Sequence, residues 1–440
     1  MNPLIRLSWA YLAWGLCSLP AQAQTSQELL TELRQLRNEV QQLKTELTQL
    51  KNTPAPTPAA PSTPPSPVAR VAPTPETAPA PSRDAVEPRV NLFGYGEMYY
   101  TRPKRSTADN TAMATARRGV LGFAYRFNDK TRFAAELEIE NAVVSAGDQG
   151  EVAFEQLYVE HDLNPDLTLK AGLFLLPLGY LNETHEPTRY MGVLRNQVET
   201  AIIPSTWREM GLGLQGRTES GWRWNTGIVT SFDLNRWPTD ADGRSETQAS
   251  PLGAIHQEGQ LANATSLATY GALNYDGQPG LNLGGGLFQG GVGQKRPDSS
   301  FSNARLSLYE WHAKWQYRRW ELSGVSALGQ FNGVDAFNAS GIANPVPKQF
   351  KGWYAQAVYR AWQNGEQSLV PFVRYERLNT AQGYPGLPQG LAPTTEPDTR
   401  TLTAGLSFYL HPQVVLKADL QRFLNNSALD RFNLGLGFHY

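Results

Sequence analysis

The sequence predicts an all-β transmembrane barrel of about sixteen antiparallel strands, with a periplasmic coiled-coil helix before it. Three observations predict this. Apolar and polar residues alternate with period two from Val90 to the last residue. The links between alternating segments are themselves short and long in turn. The segment before Val90 reads as an export signal, a heptad helix and a Pro-rich spacer.

Bulk composition excludes several classes. The 440 residues carry 40 acidic and 39 basic side chains, so no global charge points to nucleic acid. Mean hydropathy is −0.42, and no run beyond the N-terminus supplies the ~20 apolar residues of a spanning helix. A barrel hides its membrane character in such an average, because lipid-facing and lumen-facing residues alternate. The 46 aromatic residues (11 Trp, 18 Tyr, 17 Phe) and 39 Gly suit interfacial girdles and a crowded inner wall.

At the N-terminus Arg6 precedes an apolar core from Leu7 to Leu19, and Ala21-Gln22-Ala23 forms a small-x-small cleavage site. Residues 1–23 are therefore expected to be a signal peptide, with Gln24 the mature start. The single cysteine, Cys17, lies inside this segment behind Leu16, where a lipoprotein signal wants a small residue. The mature chain is then cysteine-free, without disulfides or thiol chemistry.

Residues 24–52 carry a heptad with Leu33, Val40 and Leu47 at a and Leu29, Leu36, Leu43 and Leu50 at d. Glu32, Glu39 and Glu46 at g face Arg37, Lys44 and Lys51 at e of a neighbouring helix, as in a parallel in-register coiled coil. The a and d residues leave dimer and trimer open. Residues 53–89 are a Pro/Ala-rich linker too poor in apolar groups to fold, with a reach on the order of 100 Å at ~3.1 Å per residue.

The barrel is expected over 90–440. In one strand Phe133, Ala135, Leu137 and Ile139 face opposite Arg132, Glu136, Glu138 and Glu140; in another Tyr309, Trp311, Ala313 and Trp315 face opposite Glu310, His312 and Lys314. A soluble sandwich also alternates, so the links decide. Tight turns fall at Asn128-Asp129, Asn164-Pro165, Ser220-Gly221, Asp276-Gly277, Arg318-Arg319, Asn364-Gly365 and His411-Pro412, and longer polar links separate them. Outer-membrane barrels have short periplasmic turns, longer outer loops and an even strand number. The last strand presents Phe432, Leu434, Leu436, Phe438 and Tyr440 on one face and stops on an aromatic residue, like the assembly signal of such barrels.

The third long link, 177–206, is the candidate site. It is too apolar for a solvated loop, and it concentrates Glu183, His185, Glu186, Arg189, Tyr190 and Arg195, expected to form a pore constriction. Alternation places Arg126, Arg132, Lys170, Arg217, Arg223, Lys314, Arg360, Arg374 and Lys417 on the lumen wall. Glu97, Glu136, Glu138, Glu140, Glu160, Glu209, Glu310, Glu376 and Asp419 join them there. Such a balance gives weak ion selectivity, and most of these charges are expected to be paired across strands.

The segments Leu176-Pro177-Leu178-Gly179, Glu183-Thr184-His185-Glu186-Pro187, Arg195-Asn196, Ile202-Ile203-Pro204 and Thr206-Trp207-Arg208-Glu209 resemble the phosphate-selective porin O/P family. The resemblance covers roughly 90–440 and implies a sixteen-stranded trimeric porin. The best-known members carry an arginine-and-lysine pathway for phosphate. Here Glu183, Glu186 and Glu199 mix with Arg189 and Arg195, so phosphate selectivity is not carried over.

Other chemistry finds little support. His185-Glu186 is not followed by a second histidine at 189, and the six histidines lack metal-ligand spacing, so no metal or cofactor is expected. Gly284, Gly285 and Gly286 lie in a strand pattern with no helix after it, which excludes a dinucleotide loop and suits close backbone or side-chain approach. A rim enzyme would need a group such as His161 near Asp162, at a periplasmic turn. The expected function is passive diffusion of small hydrophilic solutes or ions, anions such as phosphate included, through a bacterial outer membrane. The expected partners are outer-membrane lipid, further copies of the chain in a homotrimer, and the solute; no nucleic acid is expected. The alternative is an envelope tether acting on periplasmic components through the coiled coil, with conduction secondary.

Overall fold

A computed structural model describes residues 89–106, 110–145, 150–387, 390, 392–393 and 398–440. The expected signal peptide, coiled coil and linker lie outside the described residues. Sixteen staves follow in chain order. They are β1 (Val90–Pro103), β2 (Met113–Arg126), β3 (Thr131–Glu140), β4 (Glu151–Asn164), β5 (Leu167–Leu175), β6 (Arg208–Arg217), β7 (Trp222–Thr230) and β8 (Leu267–Tyr275). The others are β9 (Leu281–Gly291), β10 (Arg305–Tyr317), β11 (Trp320–Asn332), β12 (Gln349–Tyr359, resuming at Trp362–Asn364), β13 (Gln367–Gln382), β14 (Thr399–His411), β15 (Val414–Phe423) and β16 (Arg431–His439).

Every stave pairs antiparallel with its chain neighbours, and β1 pairs with β16 from Tyr95↔His439 to Pro103↔Arg431. The sheet is therefore a closed sixteen-strand barrel with no free edge, the form in which a sheet can meet hydrocarbon. Among the described residues no helix is long and apolar enough to cross a membrane. The expected turns all occur, and the long links join the opposite ends of the staves. The outer face carries exposed Leu92, Leu121, Leu212, Ile228, Leu273, Trp311, Leu322 and Leu420. Near the short turns it carries exposed Phe127, Trp222, Tyr317, Trp320, Trp362 and Tyr440, an aromatic girdle at one rim. So much contiguous apolar surface fits lipid rather than water.

The interior departs from a uniformly water-lined lumen. At the long-loop end, the loops after β7, β9 and β11 turn inward over β6–β12. Phe232, Trp237, Leu252, Ile255, Phe301, Val334, Phe337 and Val346 then pack with inward Phe288, Leu306, Leu308, Phe331 and Phe350. The cause lies in the strands. Their inward positions near this end are Leu306 and Leu308 on β10 and Val325, Ala327 and Phe331 on β11, so both faces of the sheet are apolar there. Trp207 joins this dry core, its ring 4.7 Å from Phe288 and 5.2 Å from Phe232. At this end the charged interior is left along β1–β5 and β12–β16, whereas nearer the short turns β6–β11 also turn charges inward, the buried Glu310–His312 pair among them.

Candidate functional site: the third loop inside the barrel

The loop between β5 and β6, residues 176–207, is closed at its base by Asn182. The Asn182 amide donates to the carbonyls of Leu176 and Trp207, both at 2.8 Å, and its oxygen accepts from Trp207 N–H at 2.7 Å. Leu176, Leu178, Val198, Ile202, Ile203 and Trp207 are fully or almost fully buried. Each contributes about 1.5–3 kcal/mol on burial, enough to hold an otherwise irregular loop. Glu199 ties the two limbs together. It accepts from Tyr180 N–H (2.5 Å), Leu181 N–H (2.8 Å), Asn196 Nδ2 (2.8 Å) and the Tyr354 hydroxyl of β12 (3.1 Å). Burial raises the Glu199 carboxyl above its ordinary pKa even against these donors.

The loop crosses the interior and touches opposite walls. On one side Tyr180 donates to Asn282 of β9 at 3.0 Å, and its ring lies 4.5 Å from Lys314 Nζ. On the other side the Tyr190 hydroxyl donates to Glu97 of β1 at 2.5 Å, and Val193 N–H donates to Asp419 of β15 at 2.6 Å. Lys417 donates to the Tyr190 carbonyl at 2.8 Å and sits 3.7 Å from the Tyr190 ring centre. Arg374 donates to the Met191 carbonyl at 3.0 Å, and Glu376 accepts from Gln197 N–H at 2.6 Å.

Wall glycines make room for this crossing. A Cβ on Gly286 of β9 would collide with Leu178, one on Gly437 of β16 with Pro187, and one on Gly435 would lie 2.9 Å from Val193. The glycines of β9 thus serve close approach, as the strand pattern predicts.

The expected site residues are placed as follows. His185 is buried against β4, with Nε2 2.5 Å from Glu155 Oε1. Tyr190 is buried, and burial together with the Glu97 carboxylate holds its hydroxyl pKa well above the usual range. Arg195 braces the loop itself, donating to the Ser205 hydroxyl and to the His185 carbonyl. Glu186 is half-buried, whereas Glu183 and Arg189 are exposed. On the wall, Glu138 pairs with Arg118 at 3.0 Å, Arg132 with Glu160 and Asp162 at 2.7 Å, Lys170 with Glu160 at 3.2 Å, and Arg374 with Glu376 at 2.9 Å. Glu136 faces the Glu155–His185 pair. Arg126 and Arg360 are exposed near the short turns. Arg217 and Arg223 are exposed there too, paired with Asp166 and Asp276. His161 and Asp162 are not brought together: His161 bonds Thr131 at 2.9 Å, and Asp162 takes Arg132 and Thr168.

Two β-bulges carry residues that strict alternation misses. Glu97↔Arg118 is followed by Met98↔Ala116, so Arg117 is an extra residue. Arg118 then meets Glu97 at 2.8 Å, Glu138 at 3.0 Å and Glu140 at 3.4 Å, while Arg117 meets Glu140 at 3.0 Å. Likewise Glu136↔Gln156 is followed by Leu137↔Phe154, and the extra residue is the fully buried Glu155. A bulge re-aims side chains, and a change of parity between Phe154 and Leu157 is the only sequence signal for it.

Below the loop two cavities of about 460 Å³ open toward the short turns. One is lined by Met191, Glu321, Arg360, Glu366 and Tyr409, and the other by Pro177, Glu183, Arg132, Asp162, Arg217 and Arg223. They lie on opposite walls. Both are strongly polar, with charges of both signs.

No protein-family model matches the chain. An uncharacterized protein of Aquifex aeolicus is 29% identical over 350 residues, covering 77% of this chain and 76% of that protein. Among solved structures, Salmonella typhi OmpF in complex with daunomycin superposes with a TM-score of 0.54 at 12% identity, over 80% of this chain and 97% of that one. The outer-membrane channel DcaP of Acinetobacter baumannii gives 0.51 at 10% identity, with the same coverage of both chains. At these identities the likeness is one of architecture, and the architecture that this chain shares with those two proteins is the closed antiparallel β-barrel.

Proposed function

We propose that this protein is an outer-membrane porin through which small hydrophilic solutes or ions diffuse passively, with loop 176–207 as the constriction. The observation that carries the reading is the loop itself. It is hydrogen-bonded to β1, β9, β12, β13 and β15 and leaves Arg189 and Glu183 exposed beside it. A segment held across a closed barrel sets the width and charge of any path through it. Because the dry core fills the long-loop end over β6–β12, the path follows the charged wall of β1–β5 and β12–β16. The proposal includes the signal peptide, a homotrimer, and a periplasmic coiled coil on its linker. It assigns mixed rather than strictly anionic selectivity, because the wall charges alternate in sign and are mostly paired.

The test is conduction in planar bilayers with chloride, phosphate and organic anions compared across a salt gradient. Stepwise currents are expected, together with a rise in unit conductance when residues 183–205 are shortened. A folded barrel that stays silent would refute the channel, and unchanged conductance after shortening would remove the loop from the path.

A further inference from the structure

We propose that His185, Glu155 and Glu136 form a binding site for one divalent transition-metal ion, of the Zn²⁺ type, that staples the third loop to β3 and β4. One ligand atom from each residue lies within 4.8 Å of the other two. A tetrahedral ion with bonds of about 2.0–2.1 Å holds its ligand atoms roughly 3.3 Å apart. The separations here, from 2.5 Å to no more than 4.8 Å, bracket that value, so small side-chain adjustments suffice. An imidazole nitrogen with two carboxylates suits zinc better than the all-oxygen shells of calcium or magnesium. Two carboxylates also balance the ion's charge.

Neighbouring groups already orient two of the three ligands. His185 Nδ1 is 2.9 Å from the Asn182 carbonyl, which leaves Nε2 as the ligand nitrogen. Asn182 is itself clamped by its three bonds at the loop base. Glu155 Oε2 accepts from the Tyr95 hydroxyl at 3.1 Å, which leaves Oε1 facing the histidine. The β4 bulge is what turns Glu155 inward.

The two ligand atoms closest together already attract each other. His185 Nε2 and Glu155 Oε1 belong to side chains only 5% and 0% exposed, and they meet as an ion pair at 2.5 Å. A bound ion would replace the proton that this pair shares, since ligand groups give up their protons on binding a metal. Glu136 is half-buried, so a fourth coordination position opens toward the interior and takes water or an anionic oxygen. Sequence spacing could not show this site, because its residues come from three segments.

The experiment uses the full-length protein in detergent, stripped with chelator and titrated with Zn²⁺ alone by calorimetry and metal analysis. One ion per chain at micromolar concentration is expected. H185A and E136Q should each abolish it, and Y95F should weaken it roughly 10–100-fold through loss of the bond that orients Glu155. E136Q sits on the wall, so it reports on the site even where H185A disturbs the loop. A folded wild-type barrel that binds no zinc overturns the proposal. Zinc bound equally well by H185A and E136Q also overturns it, since the ion would then sit elsewhere. Binding is read without conduction, so failure of the porin reading would show separately as a silent channel that still takes up the metal.

Discussion

At the residue scale, two loop arginines that look alike in the sequence have different work. Arg189 is exposed, whereas Arg195 is engaged with Ser205 and the His185 carbonyl. R189A should therefore shift the reversal potential toward cations while leaving the loop protected from proteases. R195A should loosen the loop, seen as cleavage within it and as noisier current. Equal reversal-potential shifts without cleavage would contradict this division. Glu199 allows a sharper comparison. E199A leaves four donors unpaired, at about 1–3 kcal/mol for each one that is buried. E199Q keeps an acceptor and should cost less. Because burial raises the folded-state pKa of Glu199, its carboxyl binds a proton more tightly folded than unfolded. Its contribution to docking is therefore full below the ordinary carboxyl range and is lost as pH rises through the raised value. The glutamine variant should flatten that part of the pH profile, measured as loop proteolysis against pH.

At the element scale, the loop and the wall are shaped to each other. Leu178 fills the space left by Gly286, and Pro187 the space left by Gly437. Gly286→Leu or Gly437→Leu should push the loop off its seat at a cost of about 1–3 kcal/mol from overpacking. Unit conductance should then rise, and a fall or no change would place the loop elsewhere than in the path. Gly286 was legible as a strand glycine that admits close approach, and Gly437 was not singled out. What approaches them was not legible, because Leu178 and Pro187 are over a hundred residues away in the chain. Arg117, Arg118 and Glu155 were missed for a related reason: each bulge breaks the parity from which facing is read.

At the scale of the whole molecule, staves, turns and outer girdle follow from alternation, while the dry core over β6–β12 divides the interior. The heptad before the barrel adds a further expectation. Removing residues 24–52 should weaken association in detergent, read by light scattering. An unaltered oligomer would show that the barrel walls hold the subunits together.

The sequence alone determined the barrel, its strand number, its turns and the outward face, because period-two alternation and turn chemistry are local and each strand repeats them. It also singled out the third loop, whose apolar content has no use in water. Only the tertiary structure decided where that loop lies, which wall charges meet, and that inward Leu306, Leu308, Phe331 and Phe350 close part of the lumen. Those outcomes depend on residues from distant strands arriving at one place. A lumen-facing position read from a single strand shows which way a side chain points, but not what comes to meet it.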